Sequence, residues 1–250
     1  PLTYQAHGMP PEKLVDLSPP GALVGHITQK AAAESGLPIG LAVIAGASDK
    51  VCEVLGAGTI KPGQVSISYG TLACAVVTVP SYITSSEMQY WTNPGAVPGT
   101  WNLEYDIHSG YWLVRWFCEQ FAQDQIDEAA ALGLSIEQLL SQQAAEIPPG
   151  ADGLVLTPHW RAPTLAPLGR GLVLGFQAHH TRAHVFRAIL EGIIYGLLEG
   201  LELLVSETHV PPTEIIVGGG GAQSDLMLQV TADIFGLPTK RPHTIQIGAL

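Results

Sequence analysis

Apolar residues follow two rhythms along the chain, one of strands and one of helices. Leu41 to Ala45, "LAVIA", is a continuous apolar run that predicts a short buried strand. Val51, Val54 and Leu55 then recur at helical spacing, with Ser48 or Asp49 available as the N-cap, so Asp49 falls at a strand-to-helix junction. "QVSISYGTLACAVVTV" alternates on both sides of Gly70-Thr71 and predicts a hairpin with a tight polar turn. Tyr111 to Phe121 predicts a helix, followed by a Gln- and Ala-rich helix that stops at Pro148-Pro149-Gly150, and "GLVLTPHW" predicts another strand. From Thr181 to about Ser206 the apolar positions Val185, Ile189, Ile193, Leu197, Leu201 and Leu204 predict one long amphipathic helix. Gly192, Gly196 and Gly200 lie four apart on it, a ridge along which another element can come close in a soluble core. "TEIIVGGGGAQSDLMLQVTADIFGLP" reads as strand, Gly-rich turn and helix, closed by Gly236 and Pro238. Strands alternating with helices make this an α/β chain.

Composition narrows the range of functions. The 250 residues are 46% hydrophobic and 13% charged, enough to bury a sizeable core, and the net charge is −11. The eleven Lys and Arg are scattered, which argues against nucleic acid or an anionic membrane as partner. An anionic ligand must then be held locally, by backbone N–H groups or a metal. No run reaches the roughly eighteen apolar residues of a membrane helix, and the opening "PLTYQAHGMPPEKL" is not a signal peptide. Cys52, Cys74 and Cys118 are widely spaced and form no CxxC, so a reducing cytoplasm is the simplest expectation.

Candidate chemistry centres on glycine-flanked turns. Asp49 stands in "GASDKVCEVLGAG" between glycines that let a ligand or another backbone approach, although an N-cap aspartate alone needs no function. Gly70-Thr71 and the run Gly218 to Gly221 each follow a strand, and such turns are parts of a phosphate and nucleotide cleft. The four-glycine run fails the dinucleotide pattern GxGxxG/A in both frames, so a purely structural turn stays open. GxxxxGK(S/T) and GxSxG are absent. His180 and His184 have zinc-like spacing without HExxH; His184 fits better as a local hydrogen-bonding group in a first helical turn. The aromatic residues Trp101, Tyr105, Tyr111, Trp112, Trp116 and Phe117 read as packing rather than as a sugar platform.

These residues resemble the FGGY carbohydrate kinases, which include xylulokinase, ribulokinase and glycerol kinase. The family's second signature appears as Gly171, Val173, Gly175, Phe176, His184, Val185, Ala188, Ile189, Leu190 and Glu191, with Phe176 where a smaller aliphatic residue is usual. "GLPIGLAVIAGASDK" looks like the segment carrying the catalytic base, which falls on Asp49. "SISYGTLA" looks like the second phosphate motif and puts Gly70 and Thr71 at the β- and γ-phosphates; "GGGAQSDLMLQVTADIFGLP" looks like the adenosine motif, with Gly219, Gly220, Gly221 and Ala222 against the nucleotide. The resemblance implies an actin/hexokinase-like, ribonuclease-H-like fold. Residues 1–58 would be the remainder of a first, sugar-binding lobe carrying the base, and residues 59–250 the second, nucleotide-binding lobe. It also implies ATP, Mg²⁺ held mainly through the phosphates with no protein metal ligands here, a sugar or polyol substrate, and makes a homodimer plausible.

Three positions depart from the family pattern. Leu72 stands for the usual Ser, Met227 for a frequent Trp, and Lys50 for the frequent Gln or Asn, where an ammonium is expected to alter substrate contacts or lower the pKa of Asp49. The Asp-x-Gly-Thr phosphate hairpin of the family's first lobe does not occur. A partial chain, truncated at its C-terminal end and inactive by itself, is therefore expected. Alternatives are a non-catalytic nucleotide- or sugar-binding module, or another enzyme of the same fold such as a phosphatase or acid-sugar kinase.

Overall fold

The computed structural model describes residues 10–13, 15–16, 18–161, 168–244 and 247–249. The opening stretch and the terminal run "TIQIGAL" lie partly outside the described residues. The chain forms two compact units, Pro1–Ala47 and Ser48–Leu250.

In the first unit, β1 (Leu23–His26) pairs antiparallel with β2 (Ala42–Ile44), and α1 (Gln29–Ser35) lies between them in sequence. Thr28 caps α1 by accepting the Ala31 N–H, and Gly36 ends it in the left-handed conformation. The predicted strand at 41–45 is present, but it is not buried: Val43 is 39% and Ile44 52% exposed. A two-stranded ribbon covers neither of its own faces, and burial of an apolar run requires a layer packed against it.

The second unit is built on a six-stranded mixed sheet, ordered β10-β9-β3-β4-β6-β5. Its strands are β3 (Gln64–Tyr69), β4 (Ala73–Val79), β5 (Trp91–Pro94), β6 (Trp101–Ile107), β9 (Glu214–Gly218) and β10 (Thr239–Lys240). β9 runs parallel to β3 and β10, while β3, β4, β6 and β5 form antiparallel pairs. The predicted hairpin is β3–β4, closing from Tyr69↔Ala73 through Gly70, Thr71 and Leu72. A separate ribbon pairs β7 (Val155–Thr157) with β8 (Leu172–Leu174).

Alternation gives the sheet two unlike faces. Val65, Ile67, Ala75 and Ile107 point to the main core, where they join α6 (Arg182–Thr208) through Phe186, Ile189, Ile193, Leu197 and Leu201. The glycine ridge of α6 sets this contact. A Cβ on Gly192 would stand 2.4 Å from the Leu156 carbonyl oxygen, and one on Gly200 2.0 Å from the Tyr105 ring. The opposite face is covered by α2 (Asp49–Gly56), whose Val54 packs on Cys74 and Val76.

The remaining helices complete the second unit. α3 (Trp112–Phe121) matches the predicted aromatic helix, with Tyr111 at its N-cap. The Gln- and Ala-rich segment is two helices, α4 (Ile126–Ala131) and α5 (Ile136–Ala145), because Gly133 turns left-handed and Ser135 starts α5 with a capping box to Gln138. After β9 comes α7 (Asp225–Phe235), capped by Ser224 and ended by left-handed Gly236.

Candidate functional site

The two Gly-rich turns expected at a nucleotide come together because β3 and β9 are parallel neighbours. Ser68 is registered against Gly218, so Gly70-Thr71 and Gly219–Ala222 leave the same end of the sheet side by side. Ligand clefts in α/β folds form at such carboxyl ends. Gly219 has φ +79, a region costly to other residues, and a Cβ there would stand 2.8 Å from the Tyr69 backbone. A Cβ on Gly221 would stand 2.6 Å from the Tyr111 ring. These glycines therefore let one turn lie directly on the other. Gly221 and Ala222 are buried beneath the turn, and Gly220 faces outward.

These turns open into a cavity of about 1010 Å³ whose floor includes Tyr69, Gly70, Thr71 and Gly220. One wall is α3, through Tyr111, Trp112 and Arg115, and another is the first turn of α5, through Ser135, Glu137 and Gln138. Tyr111 ties these parts together. Its N–H donates to the Gly70 carbonyl at 2.9 Å, its ring meets the glycine run, and its hydroxyl donates to Glu137. Burial, then the Glu137 carboxylate, pushes the Tyr111 phenol above its usual range, so it stays a donor. Sequence reasoning assigned Tyr111 to packing and passed over Glu137. The usable signal was Gly110-Tyr111: a Cβ on Gly110 would stand 2.1 Å from the Ala73 nitrogen, so the glycine lets the start of α3 lie against the 70–72 turn.

Arg241 braces the turn from behind, donating to the carbonyls of Ala222 (3.2 Å) and Gln223 (3.1 Å) and pairing with Asp225 at 2.8 Å. The cleft's size and its glycine cradle fit a nucleotide. Its carboxylates are already engaged: Glu119 with Arg115, Glu137 with Tyr111, and Asp225 with Arg241. That arrangement suits a divalent ion bound through phosphates rather than by a protein cage. Among the described residues, Cys74, Glu104 and Asp106 also bring donor atoms within 4.8 Å of one another. A thiol suits Mg²⁺ poorly, and the Lys50 ammonium acts on all three groups.

Asp49 is the first residue of α2, exposed, and lies outside the cavity lining. Ser48 is the N-cap, its hydroxyl accepting the Val51 N–H at 3.4 Å, so the Asp49 carboxylate does not cap the helix and accepts its neighbour's N–H at 2.8 Å. Lys50 points the other way. Its Nζ lies 2.9 Å from Glu53 Oε2 and 3.2 Å from Ser68 Oγ, two residues before Gly70. The histidine pair is local: the His184 Nδ1 accepts the Thr181 N–H at 3.1 Å and its Nε2 lies 3.2 Å from Asp152, completing the N-terminus of α6.

Residues 65–250 match the FGGY family of carbohydrate kinases, C-terminal domain. The uncharacterized sugar kinase YgcE of Escherichia coli K12 is 34% identical over 93% of this chain and 47% of its own length. The gluconokinase of Bacillus licheniformis is 30% identical over 97% of this chain and 48% of its own. Among solved structures, xylulose kinase from Rhodospirillum rubrum superposes with a TM-score of 0.79 at 28% identity, covering 99% of this chain and 49% of that one. The chain thus spans about half the length of the relatives it matches, and its fold is that of the C-terminal half of actin/hexokinase-like sugar kinases. Its matched domain and paired glycine turns place the chain in the FGGY family of carbohydrate kinases.

Proposed function

We propose that the protein containing this chain transfers the γ-phosphoryl group of ATP to a hydroxyl of a sugar or polyol. The observation that supports this most is the meeting of Gly70-Thr71 and Gly219–Ala222 at the ends of parallel β3 and β9, opening on a nucleotide-sized cleft. ATP with Mg²⁺, when bound, supplies the transferable phosphoryl group and neutralises part of its charge. The chain's own residues do the rest. Backbone N–H groups of the 70–72 turn hold phosphate oxygens, and Tyr111 fixes that turn. Gly219–Ala222 lies against the nucleoside. Asp49, unburdened by its cap, accepts the proton of the attacking hydroxyl.

The domain reading is part of the proposal: residues 1–58 belong to the sugar-binding side and 59–250 to the nucleotide side. Lacking an Asp-x-Gly-Thr segment, the 250 residues alone are expected to bind nucleotide without turnover. Relatives named for gluconate, autoinducer-2 and xylulose support a small polyhydroxylated compound as the substrate. One feature favours a non-catalytic nucleotide-binding module instead: Leu72, 39% exposed in the phosphate turn, offers no hydroxyl. A cytoplasmic homodimer completes the reading. ADP release by the full-length gene product, over a panel of ketoses, polyols and aldonic acids, separates the two. Turnover with one compound supports the kinase, and ATP binding without turnover across the panel supports the module.

A further inference from the structure

The sheet face under α2 carries charge that neither core nor cleft uses. Ser68, Cys74 and Asp106 are cross-strand partners on it, as are Ser66, Val76 and Glu104. Cys74 and Glu104 are buried, and the Cys74 thiol and the two carboxylates lie within 4.8 Å of one another. Burial lifts the Cys74 thiol well above its usual range and keeps it neutral, so the charge under the helix is that of the Glu104 and Asp106 carboxylates, whose ionised forms a nearby cation stabilises. Lys50 supplies it from above: its side chain is only 22% exposed and its ammonium is fixed between Glu53 and Ser68.

That ammonium therefore joins two pieces of the site. Its own backbone follows Asp49 at the start of α2, and its tip holds the end of β3, just before the phosphate turn. Apolar contact of Val54 with Cys74 and Val76 sets the height of α2 over the sheet, but such contact is non-directional and lets the first turn slide. The 3.2 Å bond from the Lys50 ammonium to Ser68 Oγ, aimed by Glu53 of the same helix at 2.9 Å, does not.

We propose that Lys50 is a positioning residue for phosphoryl transfer, an internal cation that clamps the first turn of α2 to β3 and so fixes Asp49 relative to the strand that leads into Gly70-Thr71. The proposal rests on the reading of Asp49 as the base. Lys50 acts through Asp49 and touches neither nucleotide nor sugar. Loss of the clamp misplaces the base without disturbing the glycine cradle, and a displacement near 1 Å costs on the order of 100-fold in rate.

The test uses the full-length protein with Lys50→Met, Lys50→Arg and Asp49→Asn measured together, recording kcat, both KM values and Tm. Lys50→Met is expected to lower kcat about 10- to 100-fold, with the ATP KM within about two-fold of wild type. Lys50→Arg, which keeps the charge, is expected to recover most of the rate. If Lys50→Met does not fold, Ser68→Ala cuts the clamp from its other end and is expected to lower kcat with the same unchanged ATP KM. Unchanged kcat in Lys50→Met, or in Ser68→Ala where that variant stands in, beside an inactive Asp49→Asn overturns the clamp and leaves the base reading intact. A rise in the sugar KM at constant kcat also overturns it, because Lys50 would then be a substrate contact. Full turnover in Asp49→Asn removes the base reading on which the clamp rests.

Discussion

Asp49 and Glu104 show how two carboxylates differ in task with their surroundings. Asp49 is exposed at a helix start, with Ser48 doing the capping. Glu104 is buried, and burial, then the Asp106 carboxylate, pushes it up to about 7 from an ordinary 4.5. Lys50 and the Asn93 amide at 3.2 Å favour its ionised form, while Asp106 and Asp49 oppose it. The sign follows from linkage: between pH 4.5 and 7 the folded state holds a proton that the unfolded state has released, so stability falls as pH rises through that window. Glu104→Gln removes this slope while keeping an acceptor for Asn93. Its Tm is expected to exceed wild type at pH 8 and to differ less at pH 5, measured by thermal unfolding across that range. A variant whose Tm profile parallels wild type would show that Glu104 is ionised throughout.

At the scale of elements, glycines carry the architecture by letting backbones touch. Gly221→Ala places a methyl 2.6 Å from the Tyr111 ring and 2.8 Å from the Tyr69 Cβ, so the 219–222 turn must shift. ATP affinity is expected to fall about 10-fold or more by titration calorimetry, and Tm to fall as well, because the overpacking costs about 1–3 kcal/mol. Gly200→Ala tests the other contact. A helical alanine gains roughly 1 kcal/mol over glycine, but its methyl would stand 2.0 Å from Tyr105, and overpacking of this kind costs about 1–3 kcal/mol. Net destabilisation without loss of ATP affinity is expected by chemical denaturation.

Most elements were legible in the sequence for physical reasons that recur along it. The hairpin at Gly70, α6 and the strand-turn-helix at 214–235 each combine strong periodicity with proper stop signals. The split of α4 from α5 turned on one left-handed glycine inside an otherwise helical composition. Burial of β2 was misread because an apolar run states a need for cover, not what covers it. At the site, the glycine turns were visible as motifs. Tyr111 and Glu137 were not, since their pairing joins residues 26 positions apart through two helices, and the Lys50 bond to Ser68 likewise joins a helix to a strand 18 positions on.

At the scale of the molecule, the chain spans about half the length of the sugar kinases it matches, and Asp49 stands in the first helix of its second compact unit. The central claim is that Asp49 is the proton acceptor in phosphoryl transfer from ATP to a sugar or polyol. General bases contribute about 100- to 10,000-fold to such rates, whereas a residue that only begins a helix contributes nothing to the chemical step. The decisive measurement compares Asp49→Asn with wild type in the full-length gene product, as steady-state phosphorylation of the best substrate from the panel and as ATP binding. A kcat lowered by about 100-fold or more, with ATP binding unchanged, is the expected result. A variant that turns over at the wild-type rate would contradict it.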